Sequence, residues 1–131
     1  MKKLIILLIA ISGPLFLQAQ TTIGKSKDGI RKIIQSNPSF KLLAGDNCDT
    51  LVFAQTMQTI FSYKDNICYK SVSVMPLEYM PDVVQHMTED LYKKIKDNVW
   101  IDAKETIKVQ ITADKKNCFV ETTFFDKSAQ N

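Results

Sequence analysis

The chain predicts an α+β domain: a largely antiparallel sheet of about five strands with two helices on one face, in the order α-β-β-β-α-β-β. Two segments repeat apolar residues with the period of a helix, and the rest alternates with the period of a strand. Charged Asp/Asn/Lys clusters punctuate the alternating stretches as hairpin turns do. Helical and strand patterns are segregated rather than regularly alternating, which favours an antiparallel sheet covered on one side.

Met1 to Ala19 read as a secretory signal peptide. Lys2 and Lys3 supply the positive start, Leu4 to Ile11 an unbroken apolar run, Gly13-Pro14 a helix break, and Leu17-Gln18-Ala19 a small-residue cleavage site. The run is shorter than the ~20 residues that span a bilayer, so stable membrane insertion is not expected. The junction Ala19-Gln20-Thr21 lacks the cysteine that a lipoprotein needs. Export to the periplasm or the medium follows.

Removing Met1 to Ala19 from the 131 residues leaves 112, the size of a single domain over 20–131. Loss of Lys2 and Lys3 lowers the formal charge from +3 by two, to +1. That leaves no basic excess to hold nucleic acid. With 45% hydrophobic and 24% charged residues the chain is ordinary globular material, frayed only at Gln20 to Thr22 and Lys127 to Asn131.

Ile23 to Ser36 predicts a short helix, with Ser26 as N-cap, Asp28 in the first turn and Ile30, Ile33 and Ile34 as its buried stripe. Asn37-Pro38 ends it. Phe40 to Ala44 follows as a strand, Gly45-Asp46-Asn47 as a turn, and Thr50 to Tyr63 as one long strand with apolar odd positions. Lys64-Asp65-Asn66 turns the chain into Ile67 to Met75, which carries Val72 and Val74 on one side and Ser71 and Ser73 on the other.

Pro81 to Asp97 predicts the longer helix, striped by Val83, Met87, Leu91 and Ile95, with Lys93, Lys94 and Lys96 at the negative end of its dipole. Trp100-Ile101 marks its exit. Thr106 to Ala113 alternates, Ile107, Val109 and Ile111 inward, and Asp114 to Asn117 turns it into Cys118 to Phe125. Phe124 and Phe125 cannot both face the core, so one is expected at the surface. The segments Lys64-Asp65-Asn66-Ile67-Cys68-Tyr69 and Asp114-Lys115-Lys116-Asn117-Cys118-Phe119 resemble each other. Duplication accounts for that, and so does turn chemistry, which selects the same residues.

Cys48, Cys68 and Cys118 admit two readings in an oxidising compartment: one disulfide with one thiol left over, or three small buried hydrophobes. A continuous Thr50 to Tyr63 strand would hold Cys48 and Cys68 at opposite ends of the sheet, beyond the ~7 Å reach of a disulfide. A crossover through the second helix would bring Cys118 to the Cys48 end, so the predicted pair is Cys48 with Cys118.

Catalytic chemistry finds little to work with. His86, the one histidine, has Asp82, Glu89 and Asp90 at helical spacing, a pattern that a solvated helix face also produces. A cysteine nucleophile based on His86 lacks a third, orienting residue. No Gly-rich phosphate cradle, nucleophile elbow or zinc spacing occurs, so no cofactor and no enzymatic activity are expected. The predicted contact surface is the sheet face away from the helices, a polar, mixed-charge, Thr-rich set of Thr56, Gln58, Lys108, Gln110 and Thr112. Ser62 joins it, with either Glu121 and Thr123 or Thr122.

Gly24-Lys25-Ser26 followed by Ile30, Ile33 and Ile34 resembles the G-x-[ST]-x-x-x-[IV] opening of the SmpA/OmlA family, the small outer-membrane lipoprotein of the β-barrel assembly machinery, itself similar to a β-lactamase-inhibitor-like module. The chain departs from that family in lacking the lipidated cysteine and in carrying a second helix and hairpin. More broadly it is similar to small exported proteins of bacteroidete bacteria. The resemblance implies an exported accessory or binding protein whose partner is another envelope or secreted protein, or alternatively a proteinaceous inhibitor of an exported enzyme.

Overall fold

The computed structural model describes residues 22–130 apart from 55, 90 and 91; the side chains of residues 53, 54, 89, 129 and 130 are likewise left undescribed. The signal-peptide assignment, Met1 to Ala19, lies outside the described residues. The α+β class holds, the described residues forming two α-helices and one antiparallel sheet. Strand number and order do not: the sheet has eight strands, and each helix is followed by four of them.

Helix α1 covers Lys27–Gln35. Ser26 caps it as expected, its hydroxyl accepting the Gly29 amide at 3.1 Å. Ile30 and Ile34 are its buried residues. Strands β1 (Lys41–Ala44), β2 (Cys48–Ala54), β3 (Met57–Lys64) and β4 (Ile67–Pro76) then form an antiparallel meander. The long strand expected from Thr50 to Tyr63 is in fact a hairpin, β2 to β3. The turn between paired Ala54 and Met57 is offset by a register shift between Val52 and Ala54, so odd-numbered Leu51, Met57, Phe61 and Tyr63 all end up buried on one face. The β3–β4 hairpin turns on Asp65 and Asn66, both with positive φ (54° and 64°), as a two-residue hairpin requires.

The second helix stops well short of where its apolar stripe suggests. A 3₁₀ turn at Leu77–Tyr79 runs into α2, Met80–Glu89. Lys93, Lys94, Ile95 and Lys96 form strand β5 (Lys93–Lys96), which pairs with β6 (Val99–Ile101) through an Asp97-Asn98 turn. Asn98 adopts φ 60°, and β-favouring Val99, Trp100 and Ile101 win this stretch for the sheet. The lysines therefore decorate an edge strand, where charge discourages pairing with another chain. Strands β7 (Ile107–Ala113) and β8 (Asn117–Phe124) complete the sheet. The spatial order is β1-β2-β3-β4-β8-β7-β6-β5.

Two similar units thus meet at the β4–β8 seam. Tyr63 pairs with Cys68 and Ala113 with Cys118, a constant offset of 50 positions. At the same offset, the Cys68 amide bonds to the carbonyl of Lys25 just before α1, while Cys118 pairs with Met75 just before the Leu77–Tyr79 turn.

Strand register and burial put both helices on one face, here the inner face. Beside α1, Ile30 and Ile34 cluster with Leu51, Phe61, Tyr63 and Cys68. Beside α2, Met87 clusters with Met57, Met75, Trp100, Val109, Ile111, Cys118 and Val120. Between the clusters lie hydroxyls: Thr59 and Ser73 share a 2.9 Å hydrogen bond, and Ser71 faces Thr122 across the seam. Phe124 is the exposed member of the terminal pair, at 52%, with its ring beside Gly24. The expected fraying is not seen in what is described of either end. Thr22 is 2% exposed, and Lys127–Gln130 forms a 3₁₀ turn.

Candidate functional site

The sheet face opposite the helices collects every strand position whose side chain points away from the two clusters. Through the registers, Gln58 lies beside Val74, Val74 beside Phe119, and Phe119 beside Thr112. In the next row Ile60 lies beside Val72, Val72 beside Glu121, and Glu121 beside Gln110; in a third, Ser62, Lys70, Thr123 and Lys108 run in line. Gln58, Lys108, Gln110 and Thr112 therefore share the face predicted for them, with Glu121 and Thr123 rather than the buried Thr122. Thr56 does not: it sits in the β2–β3 turn, exposed at the sheet end.

Alternation in β4 runs opposite to hydrophobicity. Ser71 and Ser73 are buried at 1% and 6%, whereas Val72 and Val74 face outward, half-buried. Small hydroxyls fit the centre of the inner face because Thr59 and Thr122 stand there to meet them. The outward valines, with Ile60 and Phe119, give the open face an apolar centre that the polar reading of the sequence missed. The face closes at the β6 end, where Val99 and Ile101 are buried.

A second constellation carried no sequence signal. Asp49 on β2 is fully buried and takes both nitrogens of the Arg31 fork from α1, Nε to Oδ2 and Nη2 to Oδ1, each at 2.9 Å. The Tyr63 hydroxyl donates to Oδ2 at 2.9 Å, and the Gly45 amide to Oδ1 at 3.2 Å. Burial alone would raise the Asp49 pKa, but the Arg31, Tyr63 and Gly45 donors outweigh it and hold the carboxyl below its ordinary value. Burial and the Asp49 carboxylate together push the Tyr63 phenol far upward, so it stays a donor. Lys27 closes the cluster, its Nζ 5.7 Å from the Tyr63 ring centroid and 2.8 Å from the Asp46 carbonyl. Gly45 is needed here, since a Cβ would stand 2.5 Å from the Cys48 carbonyl oxygen. With its oxygens occupied by four donors, Asp49 is a structural anion that ties α1 to the sheet rather than a ready base.

All three cysteines are free, which corrects the Cys48–Cys118 pairing. Cys48 is exposed on the open face, Cys118 is buried on the inner face, and β3 and β4 lie between their strands. Three strand-to-strand steps put them roughly 14 Å apart, beyond disulfide reach. The expectation put Cys48 and Cys68 at opposite ends of one long strand; because β2 and β3 form a hairpin, Cys48 lies, by way of Ser62 and Lys70, at the Cys68 end of the sheet, while Cys118 pairs with Met75 at the other end of β4. Burial pushes the Cys68 and Cys118 thiols upward, away from thiolate reactivity. His86 and Asp82 sit one turn apart on α2, both half-buried, while the Glu89 and Asp90 side chains lie outside the described residues. Among the described residues, no group of His, Cys, Asp and Glu is gathered as a metal site would need. No described helix is long and apolar enough to cross a membrane.

Comparison of the chain with protein families, with curated proteins and with solved structures found no match.

Proposed function

We propose that the chain is a small exported binding or accessory protein, not an enzyme, that meets another envelope or secreted protein through the sheet face opposite its helices. One observation carries this reading: the face holds an apolar centre of Ile60, Val72, Val74 and Phe119 bordered by polar side chains, while both helices cover the other side. An apolar centre with a polar rim is how reversible protein interfaces are built. The buried ionisable groups support the same reading, because Asp49 is consumed in holding α1 and the inner thiols are disfavoured as nucleophiles.

The test is affinity capture from the envelope fraction with three tagged forms of the mature chain. These are the wild type, Gln110→Trp/Thr123→Trp on the open face, and Lys32→Trp on α1. A stoichiometric partner retained by the wild type and the α1 variant but lost with the open-face variant supports the proposal. Capture insensitive to the open-face variant, or no partner at all, contradicts it. If the captured protein is a hydrolase, adding the chain to its assay separates an accessory role from inhibition.

A further inference from the structure

The open face is not evenly mixed in charge, as the sequence suggested, but dominated by lysine. By register it carries Lys41 on β1, Lys64 on β3, Lys70 on β4, Lys108 on β7, and Lys93 and Lys96 on β5. Among the described strand residues the only acid there is Glu121. The other strand carboxylate, Asp49, is buried on the inner face beneath Arg31. Acids elsewhere occupy helices, turns and loops, such as Asp28, Asp46, Asp65, Asp82, Asp97 and Asp114. A near-neutral chain has therefore sorted its charge by secondary structure. Lys70, Thr123, Lys108, Ile101 and Lys93 form one cross-strand row, with lysines on alternate strands at spacings of about 10 Å. Lys94 breaks the pattern only by facing the other way, its Nζ 5.8 Å from the Trp100 ring centroid.

Resting on the docking role proposed above, we infer that the partner presents an acidic polypeptide surface, Asp- and Glu-rich around an apolar centre. The lysines border the half-buried Ile60, Val72, Val74 and Phe119, so the complementary surface carries carboxylates around aliphatic or aromatic side chains. A lipid surface fits less well. Its binding favours apolar side chains free to enter the acyl boundary, and here Ile60, Val72, Val74 and Phe119 are half-buried.

The experiment titrates the mature chain into a fluorescein-labelled synthetic peptide of Glu with interspersed Leu and Phe. A counterpart with Lys for Glu and vesicles of phosphatidylcholine with phosphatidylglycerol are run alongside. Expected are binding of the Glu peptide alone and weakening with added salt. Lys70→Glu/Lys93→Glu/Lys108→Glu should lose at least about tenfold in affinity, and the milder Lys→Gln set at the same positions an intermediate amount. Lys25→Glu/Lys32→Glu, on the α1 side, should leave binding unchanged. Equal loss from the α1 pair, no loss from the open-face set, or binding of the vesicles in place of the peptide overturns the inference. Failure of the peptide while the open face still captures a partner overturns the acidic assignment and leaves the docking role standing. Insensitivity of capture to the face removes both.

Discussion

Arg31 and Asp49 form a two-pronged ion pair at 2.9 Å on each prong, with the carboxylate fully buried and the guanidinium side open to water. This pair, with the Tyr63 hydroxyl, fixes α1 over the first half of the sheet. Asp49→Ala strands the Arg31 fork, the Tyr63 hydroxyl and the Gly45 amide together. A loss of about 2 to 3 kcal/mol is expected, below the figure for a fully buried pair because Arg31 keeps 29% side-chain exposure. Urea denaturation measures it. Arg31→Met/Asp49→Leu should lose less than the two single changes summed, and an additive result would dismiss the coupling.

Acid should destabilise the chain through the same carboxylate. A carboxyl whose folded pKa lies below its unfolded value contributes stability that is whole above the unfolded value, about 4, and is lost as pH falls through the folded one. Asp49, Asp102 and Asp114 are all lowered, so melting temperature should decline on acidification below that point. Asp49→Asn should flatten that limb. The buried thiols act in the opposite sense. Cys68 and Cys118 are raised, so their contribution is whole below the unfolded thiol pKa, about 8.5, and shrinks as pH rises beyond it.

Thiol accounting separates the exposed cysteine from the two inside. In the native reduced chain Cys48 should react rapidly with a chromogenic disulfide reagent, while Cys68 and Cys118 react only after denaturant is added. Fast labelling of Cys118 in the folded state would mean that the inner face is open where the structure closes it.

Glu105 occupies φ 56° in the loop that Asp102 organises by accepting the Thr106 and Ile107 amides at 2.7 and 3.0 Å. A left-handed backbone is strained for glutamate. Glu105→Gly should raise stability by about 0.5 to 1 kcal/mol. Losing its exposed contact with Lys127 offsets little of that. A fall in the denaturation midpoint would contradict this account of the loop.

The elements legible in the sequence are those whose local chemistry and packing agree. Ser26, Ile30 and Ile34 announced α1, and Val109 and Ile111 announced the inner side of β7. The hidden ones were disguised by continuity of pattern. A register shift between Val52 and Ala54 cancels the change of parity at the turn, so the β2–β3 hairpin read as one strand. Ile95 extends the stripe of Val83 and Met87 by coincidence, although Asp97-Asn98 and the three β-formers after it belonged to a hairpin. Missing the β2–β3 hairpin placed Cys48 at the wrong end of the sheet and produced the wrong cysteine pair. For the surface, Gln58, Lys108, Gln110 and Thr112 were found from alternation alone. Val72 and Val74 were not, because only the pairing of Thr59 with Ser73 shows that the serines are the buried residues of β4. The lysine bias likewise becomes visible only when residues from five strands are laid in register.

The most direct measurement places a photo-crosslinking residue at Gln58, Gln110 or Thr112 on the open face, and at Lys32 or Gln85 on the helices, in cells that export the chain. The account predicts one discrete adduct from the open-face positions and none from the helix positions. Adducts confined to the helix positions would contradict it.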